Sequence, residues 1–422
     1  MSSTIFSKTA QCLIPSGIRK ISDKVNERIE KGERIFNLTI GDFSPRVFPI
    51  PSVLKEEIKK AYDEDQTNYP PSEGVMVIRK AISSYLKERG GFEYGTDEII
   101  IGSGARPLTY TLLKTLVNPG EKIVYPAPSW NNNCYVQLQD AVDVSIETKF
   151  ENNFVPTAEE LRPHIGDAAL IALNSPLNPS GTVFTKEALK EILDMIVEEN
   201  RKRKAANRKP LYVFYDMIYW ILVYGETKHY NPIEINPEIR DYIVFIDGIS
   251  KCFAATGVRL GWAFGPKDIM KKMSAILAHI GAWSPKPEQI ATGRFLDNRK
   301  AVDDFFEYFK SELFTRLNIF YDGIMKIKNA GFDVDAIYPQ GAIYLTVKLN
   351  LTGKKTEEGK VLKDIDGILS YILEEGKIAL VPFYAFGASK DSPWFRLSVG
   401  TCSKEEAKLA AEILKETIEK LK

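Results

Sequence analysis

Short apolar runs alternate with amphipathic segments through the middle of the chain. Ile99–Ile101, Ile123–Tyr125, Ala168–Leu173, Leu211–Phe214 and Ile243–Ile246 are apolar throughout and predict strands buried on both faces. Helical patterns lie between several of them. The clearest is Lys186–Lys204, where Leu189, Ile192, Leu193 and Ile196 share one face, Thr185 is placed to cap the start and Glu187 falls in the first turn. This alternation predicts a three-layer α/β domain, with helices on both faces of a mostly parallel sheet. The ends read differently. Residues 17–34 predict a charged helix that leads into a strand over Ile35–Ile40. After residue 300 come a long helix and strands near Ala342–Leu349 and Phe395–Val399. A closing helix follows, opened by a Ser403–Glu406 capping box, with Ala407, Ala410, Ala411 and Leu414 on one face. The expected division is a large domain over residues 46–304 and a smaller α+β domain built from both termini, 1–45 and 305–422.

Charge and composition narrow the function classes. Fifty-six Lys+Arg balance 56 Asp+Glu, whereas a nucleic-acid binder is expected to be basic. The run Arg201–Lys204 with Arg208 and Lys209 reads as a solvated helix end, because Glu198 and Glu199 stand four residues before Lys202 and Arg203. No apolar stretch is long enough to span a bilayer, and Met1–Gly17 lacks the apolar core of a secretory signal. Cys12, Cys134, Cys252 and Cys402 are scattered, as are His164, His229 and His279. Reduced thiols, a cytosolic location and no metal site are expected. Chemistry then falls to Lys, Asp, Tyr and Arg, or to a cofactor.

In an open parallel sheet, ligands bind beyond the carboxyl ends of the strands. Gly102-Ser103-Gly104-Ala105-Arg106-Pro107 follows the first apolar run, and Asn174–Gly181 follows Ala168–Leu173. Leu211–Tyr215 ends at Asp216, with Tyr219 three residues on, and Ile243–Ile246 leads to Ser250 and Lys251. The glycine turn is either only a turn or an anion site at a helix start opened by Pro107, to which Ser250 and Arg259 would add donors. Lys251 is either a surface lysine or, among Cys252, Phe253, Ala254 and Ala255, a desolvated amine suited to Schiff-base chemistry. Asp216 is either a turn residue or the carboxylate that holds a proton on a heteroaromatic nitrogen, as pyridoxal phosphate requires beside its lysine.

Four ordered motifs carry a resemblance. They are Asn174-x-Pro-x-Asn178-Pro-Ser-Gly181, Asp216-x-x-Tyr219, Ser250-Lys251 with Gly257-x-Arg259-x-Gly261, and Phe395-Arg396-Leu-Ser. Together they resemble the aspartate aminotransferase superfamily, the fold-type-I pyridoxal-phosphate enzymes of aminotransferase classes I and II, over nearly the whole chain. The resemblance implies that Lys251 carries the cofactor pyridoxal 5′-phosphate and shuttles a proton at the substrate α-carbon. Asp216 would pair with the ring nitrogen, Tyr219 and Asn178 would bond the phenolic oxygen, and Trp130 would stack on the ring. Ser103, Gly104, Ala105, Ser250 and Arg259 would hold the phosphate, joined by Tyr69 from a second subunit of a homodimer. Arg396, with Gly41 and Asn178, would take the substrate α-carboxylate.

Two positions depart from the family pattern. The phosphate turn carries Ser103-Gly104-Ala105-Arg106, so that Arg106 either replaces a lost contact or does something else, and Ser180 stands where threonine is common. No residue is singled out to read a second carboxylate; Arg19, Trp283 and Lys286 are candidates near the entrance. The expected activity is ping-pong amino transfer between an L-amino acid and a 2-oxo acid such as 2-oxoglutarate. Aspartate is favoured, with aromatic amino acids, methionine and alanine as alternatives. A C–S lyase or an aminocyclopropane-carboxylate synthase-like enzyme is the rival on the same residues. A ligand-sensing regulator would carry an appended DNA-binding segment, and an enzyme is expected instead.

Overall fold

The computed structural model describes residues 5–13 and 17–422. Seven strands form the large sheet: β1 Ile99–Gly102, β2 Lys122–Ala127, β3 Val142–Glu147, β4 Ala168–Asn174, β5 Tyr212–Asp216, β6 Ile243–Gly248 and β7 Gly261–Phe264. Their spatial order is β1-β7-β6-β5-β4-β2-β3. Only β7 runs antiparallel to its neighbours, β1 and β6. The four strands whose ends carry polar chemistry therefore all point the same way. Two strands were not legible as apolar runs. β3 is an edge strand with alternating exposure and acidic residues, and β7 is a four-residue piece within a glycine motif.

The strand interiors explain the layers. Ile243 and Phe245 of β6 pack to one face with Val213 and Tyr215, while Val244 and Ile246 pack to the other with Phe214. Helix α1 (Ala105–Leu116) covers the second face through Leu108 and Leu112, and α2 (Lys186–Ala205) covers the first through Leu189, Ile192, Leu193 and Ile196. Each such side chain contributes roughly 1.5–3 kcal/mol on burial. Thr185 caps α2, its hydroxyl accepting from Ala188 N at 3.1 Å. Gly104 caps α1, so Pro107 is its third residue and not its first. The basic end of α2 is not wholly solvated. Arg203 is buried and donates to Glu199 at 2.8 Å and to the Ile165 carbonyl at 2.5 Å. Lys202 pairs with Glu198, Arg201 with Glu238 and Lys209 with Glu121, so these cations are spent on the protein itself.

A second core gathers the chain ends. Helix α3 (Arg299–Asn329) reaches it after contributing Val302 and Phe306 to the first core; Phe309, Leu313, Leu317 and Phe320 then belong to the second. Four strands pack there in the order β10-β11-β9-β8, with β8 Val334–Ala336, β9 Tyr344–Leu349, β10 Val381–Pro382 and β11 Trp394–Ser398. Helix α4 (Lys404–Glu419) closes the layer through Ala407, Ala410, Ala411 and Leu414, and its Ser403–Glu406 capping box forms. The strand expected over 35–40 is only Phe36–Asn37, paired parallel with Ile378–Ala379. Asn37 ends it, its side-chain oxygen accepting from Thr39 N and Oγ1 at 3.2 and 2.6 Å. Such a local turn competes with strand pairing and leaves Ile40, Gly41 and Asp42 to line a cavity.

Candidate active site

That cavity, of about 610 Å³, lies beyond the carboxyl ends of β1, β4, β5 and β6. Its size suits a cofactor-sized ligand. The large sheet contributes Asn174, Asn178, Asp216, Tyr219, Ser250 and Lys251 to its wall, and the second core adds Tyr344 and Arg396.

Lys251 stands on the single helical turn Ile249–Cys252 directly after β6. Ile249, Cys252 and Phe253 around it are buried, and its Nζ donates to the Gly41 carbonyl at 2.5 Å. Burial pulls its pKa down to about 8; Asp42 opposes this, and the charges of Arg396, Arg106 and Arg259 add to it. An amine in that range is nucleophilic at ordinary pH.

Asp216 ends β5. Asn174 Nδ2 and Ser175 N donate to its carbonyl at 2.8 and 3.1 Å, and Ile218 N donates to its carboxylate at 3.1 Å. Among the described residues no cation forms an ion pair with it. Burial lifts its pKa to about 6, against the Ile218 hydrogen bond and the charge of Lys251. A half-buried carboxylate short of a positive partner fits a protonated ring nitrogen.

Asn174 joins two strand ends through its bond to the Asp216 carbonyl, and its Oδ1 accepts from Asn178 N at 2.7 Å. Asn178 Oδ1 in turn accepts from Arg396 at 3.0 Å, and the other arm of Arg396 donates to the Thr39 carbonyl at 2.6 Å. Arg396 is 2% exposed, and its Nε has no partner among the described residues. Its guanidinium packs 4.6 Å over the Tyr344 ring and 4.8 Å over Phe386. A buried guanidinium without a counter-charge is costly, and an arriving carboxylate removes that cost.

The turn at the start of α1 offers donors suited to an anion. Gly104 adopts φ +86°, and a Cβ there would stand 2.5 Å from the Arg259 guanidinium. Arg259 donates to the carbonyls of Thr256 and Ser103 at 2.5 and 3.2 Å. Ala105, Ser250 and Arg259 line the cavity, and Ser103 and Gly104, in the turn that opens α1, are not part of its wall. Helix-start N–H groups, a hydroxyl and a guanidinium are the donor set that a phosphate takes. Lysine, unpaired carboxylate, phosphate-type cradle and arginine together fit pyridoxal 5′-phosphate and an amino acid.

The remaining expected residues fall as follows. Trp130 and Arg106 both line the cavity, with the Arg106 guanidinium 4.6 Å over the indole. Tyr69 is 82% exposed and packs edge-on against Trp283 at 5.6 Å, outside its own chain's cavity wall. Lys286 donates to Asn68 at 2.5 Å beside it. The Arg19 side chain lies outside the described residues. Sequence reading missed Tyr344, whose hydroxyl lies 2.6 Å from that of Tyr219. A signal existed: Tyr344, Thr346 and Lys348 put polar groups at alternate positions of the strand, and Thr346 bonds the Ser180 carbonyl at 2.7 Å.

Known proteins share this fold. The model of the family described as aminotransferase class I and II matches residues 33–414. An aspartate aminotransferase of Geobacillus stearothermophilus is 30% identical over 396 residues, covering 93% of this chain and 94% of that protein. The crystal structure of the Rhizobium meliloti aspartate aminotransferase superimposes with a TM-score of 0.89 at 25% identity, covering 99% of this chain and all of that one. That of the Thermus thermophilus aspartate aminotransferase with maleate gives 0.85 at 25% identity, covering 98% and 99%. The chain belongs to the class I and II aminotransferases, the fold-type-I transaminases that depend on pyridoxal phosphate.

Proposed function

We propose that the chain transfers the amino group of aspartate to a 2-oxo acid such as 2-oxoglutarate. Pyridoxal 5′-phosphate, when bound, supplies the electron sink that makes the α-hydrogen of an amino acid labile. The chain does the rest. Lys251 holds the cofactor through its depressed amine and moves the proton at the substrate α-carbon. Asp216 keeps the ring nitrogen protonated, Tyr219 and Asn178 hydrogen-bond the phenolic oxygen, and Trp130 covers a ring face. Ser103, Gly104, Ala105, Ser250 and Arg259 take the phosphate. Arg396, with Asn178 and Gly41, clamps the α-carboxylate. One observation carries this reading: a desolvated lysine, a carboxylate without a cation and an arginine short of an acceptor line one cavity.

The preference for aspartate rests on counting cations. Lys251, Arg259, Arg396 and Arg106 line the cavity. The first three have roles, which leaves the exposed Arg106, held against Trp130, for a second carboxylate. The Thermus relative solved with maleate, a dicarboxylate, supports the same substrate class.

We further propose a homodimer in which Tyr69 serves the partner's phosphate site, supported by its exposure and by its place outside its own cavity wall. Two cores support a division into residues 46–304 and 1–45 with 305–422, α3 running through the boundary. A cytosolic location is supported by the unpaired thiols of Cys134, Cys252 and Cys402.

The test mixes holoenzyme with single amino acids and follows both the visible band and the 2-oxo acid formed. Aspartate and glutamate are expected to react fastest and to leave the amino group on the enzyme. Release of ammonia, with no group retained, would put the rival lyase in its place.

A further inference from the structure

Tyr219 and Tyr344 meet in a buried pair whose hydroxyls lie 2.6 Å apart, and either oxygen can be the donor. Each hydroxyl has a single proton to give. Resting on the assignment of Tyr219 to the cofactor's phenolic oxygen, we propose that Tyr344 is a positioning residue that donates to Tyr219 and so turns the Tyr219 proton toward the cofactor.

Three features of the site favour this direction. Tyr219 can donate to a ligand only if it accepts from Tyr344, since its one proton cannot serve both. The Arg396 guanidinium lies 4.6 Å over the Tyr344 ring, nearer than the Lys251 amine at 6.0 Å over Tyr219, and the closer cation makes its phenol the stronger acid and the better donor. Tyr344 also has little room to turn away. Gly41 lies against it so closely that a Cβ there would be 2.7 Å from the hydroxyl. Tyr344 is 2% exposed and Tyr219 is 2% exposed, so water does not compete for the bond. Tyr344 thereby touches both halves of the site. Its ring is the floor under the arginine assigned to the substrate carboxylate, and its hydroxyl sets the donor assigned to the cofactor.

The readout is the pH midpoint of the holoenzyme's visible band. A donor aimed at the phenolic oxygen withdraws negative charge there and disfavours protonation of the adjoining lysine–cofactor nitrogen, which lowers the midpoint. Tyr344→Phe keeps the ring under Arg396 and removes only the hydroxyl. Loss of one such hydrogen bond predicts an upward shift of about 0.4–1 pH unit, with kcat down about three- to tenfold and KM for the amino acid little changed. In a Tyr219→Phe background, Tyr344→Phe should add no further shift, because the bond is already gone. Incorporating 3-fluorotyrosine at position 344 keeps the shape with a more acidic hydroxyl, and it should move the midpoint down. This holds the test open should Tyr344→Phe fold poorly. An unmoved midpoint in Tyr344→Phe or with the fluorinated ring overturns the proposal, as do shifts of the two Phe substitutions that add. Failure of the underlying assignment looks different: wild-type holoenzyme would then show no pH-dependent visible band, or Tyr219→Phe alone would leave it unmoved.

Discussion

Replacing Asp216 with asparagine should weaken the enzyme and strengthen the apoprotein. The side chain keeps its shape and its hydrogen bond from Ile218 N, at 3.1 Å in the native protein, and loses only its charge. Burial raises the Asp216 pKa from 3.8 to about 6. Each unit corresponds to about 1.4 kcal/mol, so the ionised carboxylate costs the cofactor-free fold roughly 3 kcal/mol. The sign follows from linkage. The folded state binds this proton more tightly than the unfolded state, so full stability is present below the unfolded pKa and is lost as pH rises through about 6. Apo Asp216→Asn should therefore be more stable than apo wild type at about pH 8, and the two should converge near pH 4. The holoenzyme should behave in reverse. In the proposed role its carboxylate would face a ring cation, and removing one partner of a buried pair costs about 3–5 kcal/mol, which is a fall of roughly 10²–10³ or more in kcat/KM. The assay is initial-rate kinetics with aspartate and 2-oxoglutarate, beside denaturant melts of the apoprotein at both pH values. A loss of less than about tenfold in kcat/KM would refute the pairing with the ring nitrogen. Equal apo stabilities at about pH 8 would refute the desolvation argument.

Lys251→Ala should abolish transamination while still binding the cofactor non-covalently. In the wild-type apoprotein the rate of reaction of Lys251 with an aldehyde should rise with a midpoint near the depressed pKa of about 8, and a midpoint at an ordinary lysine value would contradict the desolvation. Gly104→Ala places a methyl 2.5 Å from Arg259 at φ +86°, and cofactor affinity measured by equilibrium dialysis should fall by about an order of magnitude or more. Arg106→Leu should raise KM for aspartate and 2-oxoglutarate far more than for phenylalanine; equal changes would remove Arg106 from side-chain recognition. His229 is held neutral by burial, with its pKa down to about 4 from 6.5, so stability should decline as pH falls from about 6.5 through 4 by up to roughly 3 kcal/mol. His229→Gln should flatten the part of the melting-temperature decline that this group causes.

The α/β class and the mostly parallel sheet are legible in the residues alone, because strands buried on both faces must be apolar throughout, as Ile243–Ile246 are. The sequence also marked the chemistry that follows each strand. A polar or glycine-rich end on a buried strand stands out locally, as Asp216 and the Ser250-Lys251 turn do. Helix starts were legible for the same reason, since Thr185 and Ser403 cap through contacts within three residues. Long-range pairing was not legible. The β7 strand is only four residues long and exists because β1 and β6 flank it, and the strand expected over 35–40 is cut short by a side-chain turn at Asn37. Arg203 looked solvated because its burial depends on the Ile165 carbonyl, 38 residues away. The site shows the same division. Arg396 could be named from its motif, but what it leans on could not. Its partners, Thr39 and Asn178, lie 357 and 218 residues away along the chain. Tyr219 could be named from its motif, but Tyr344, 125 residues away, could not be named as its partner. Residue type and short-range pattern are local properties that a sequence displays directly. The meeting of two hydroxyls, or of a guanidinium and a carbonyl, depends on how two cores pack around one cavity, and only the tertiary structure decides that.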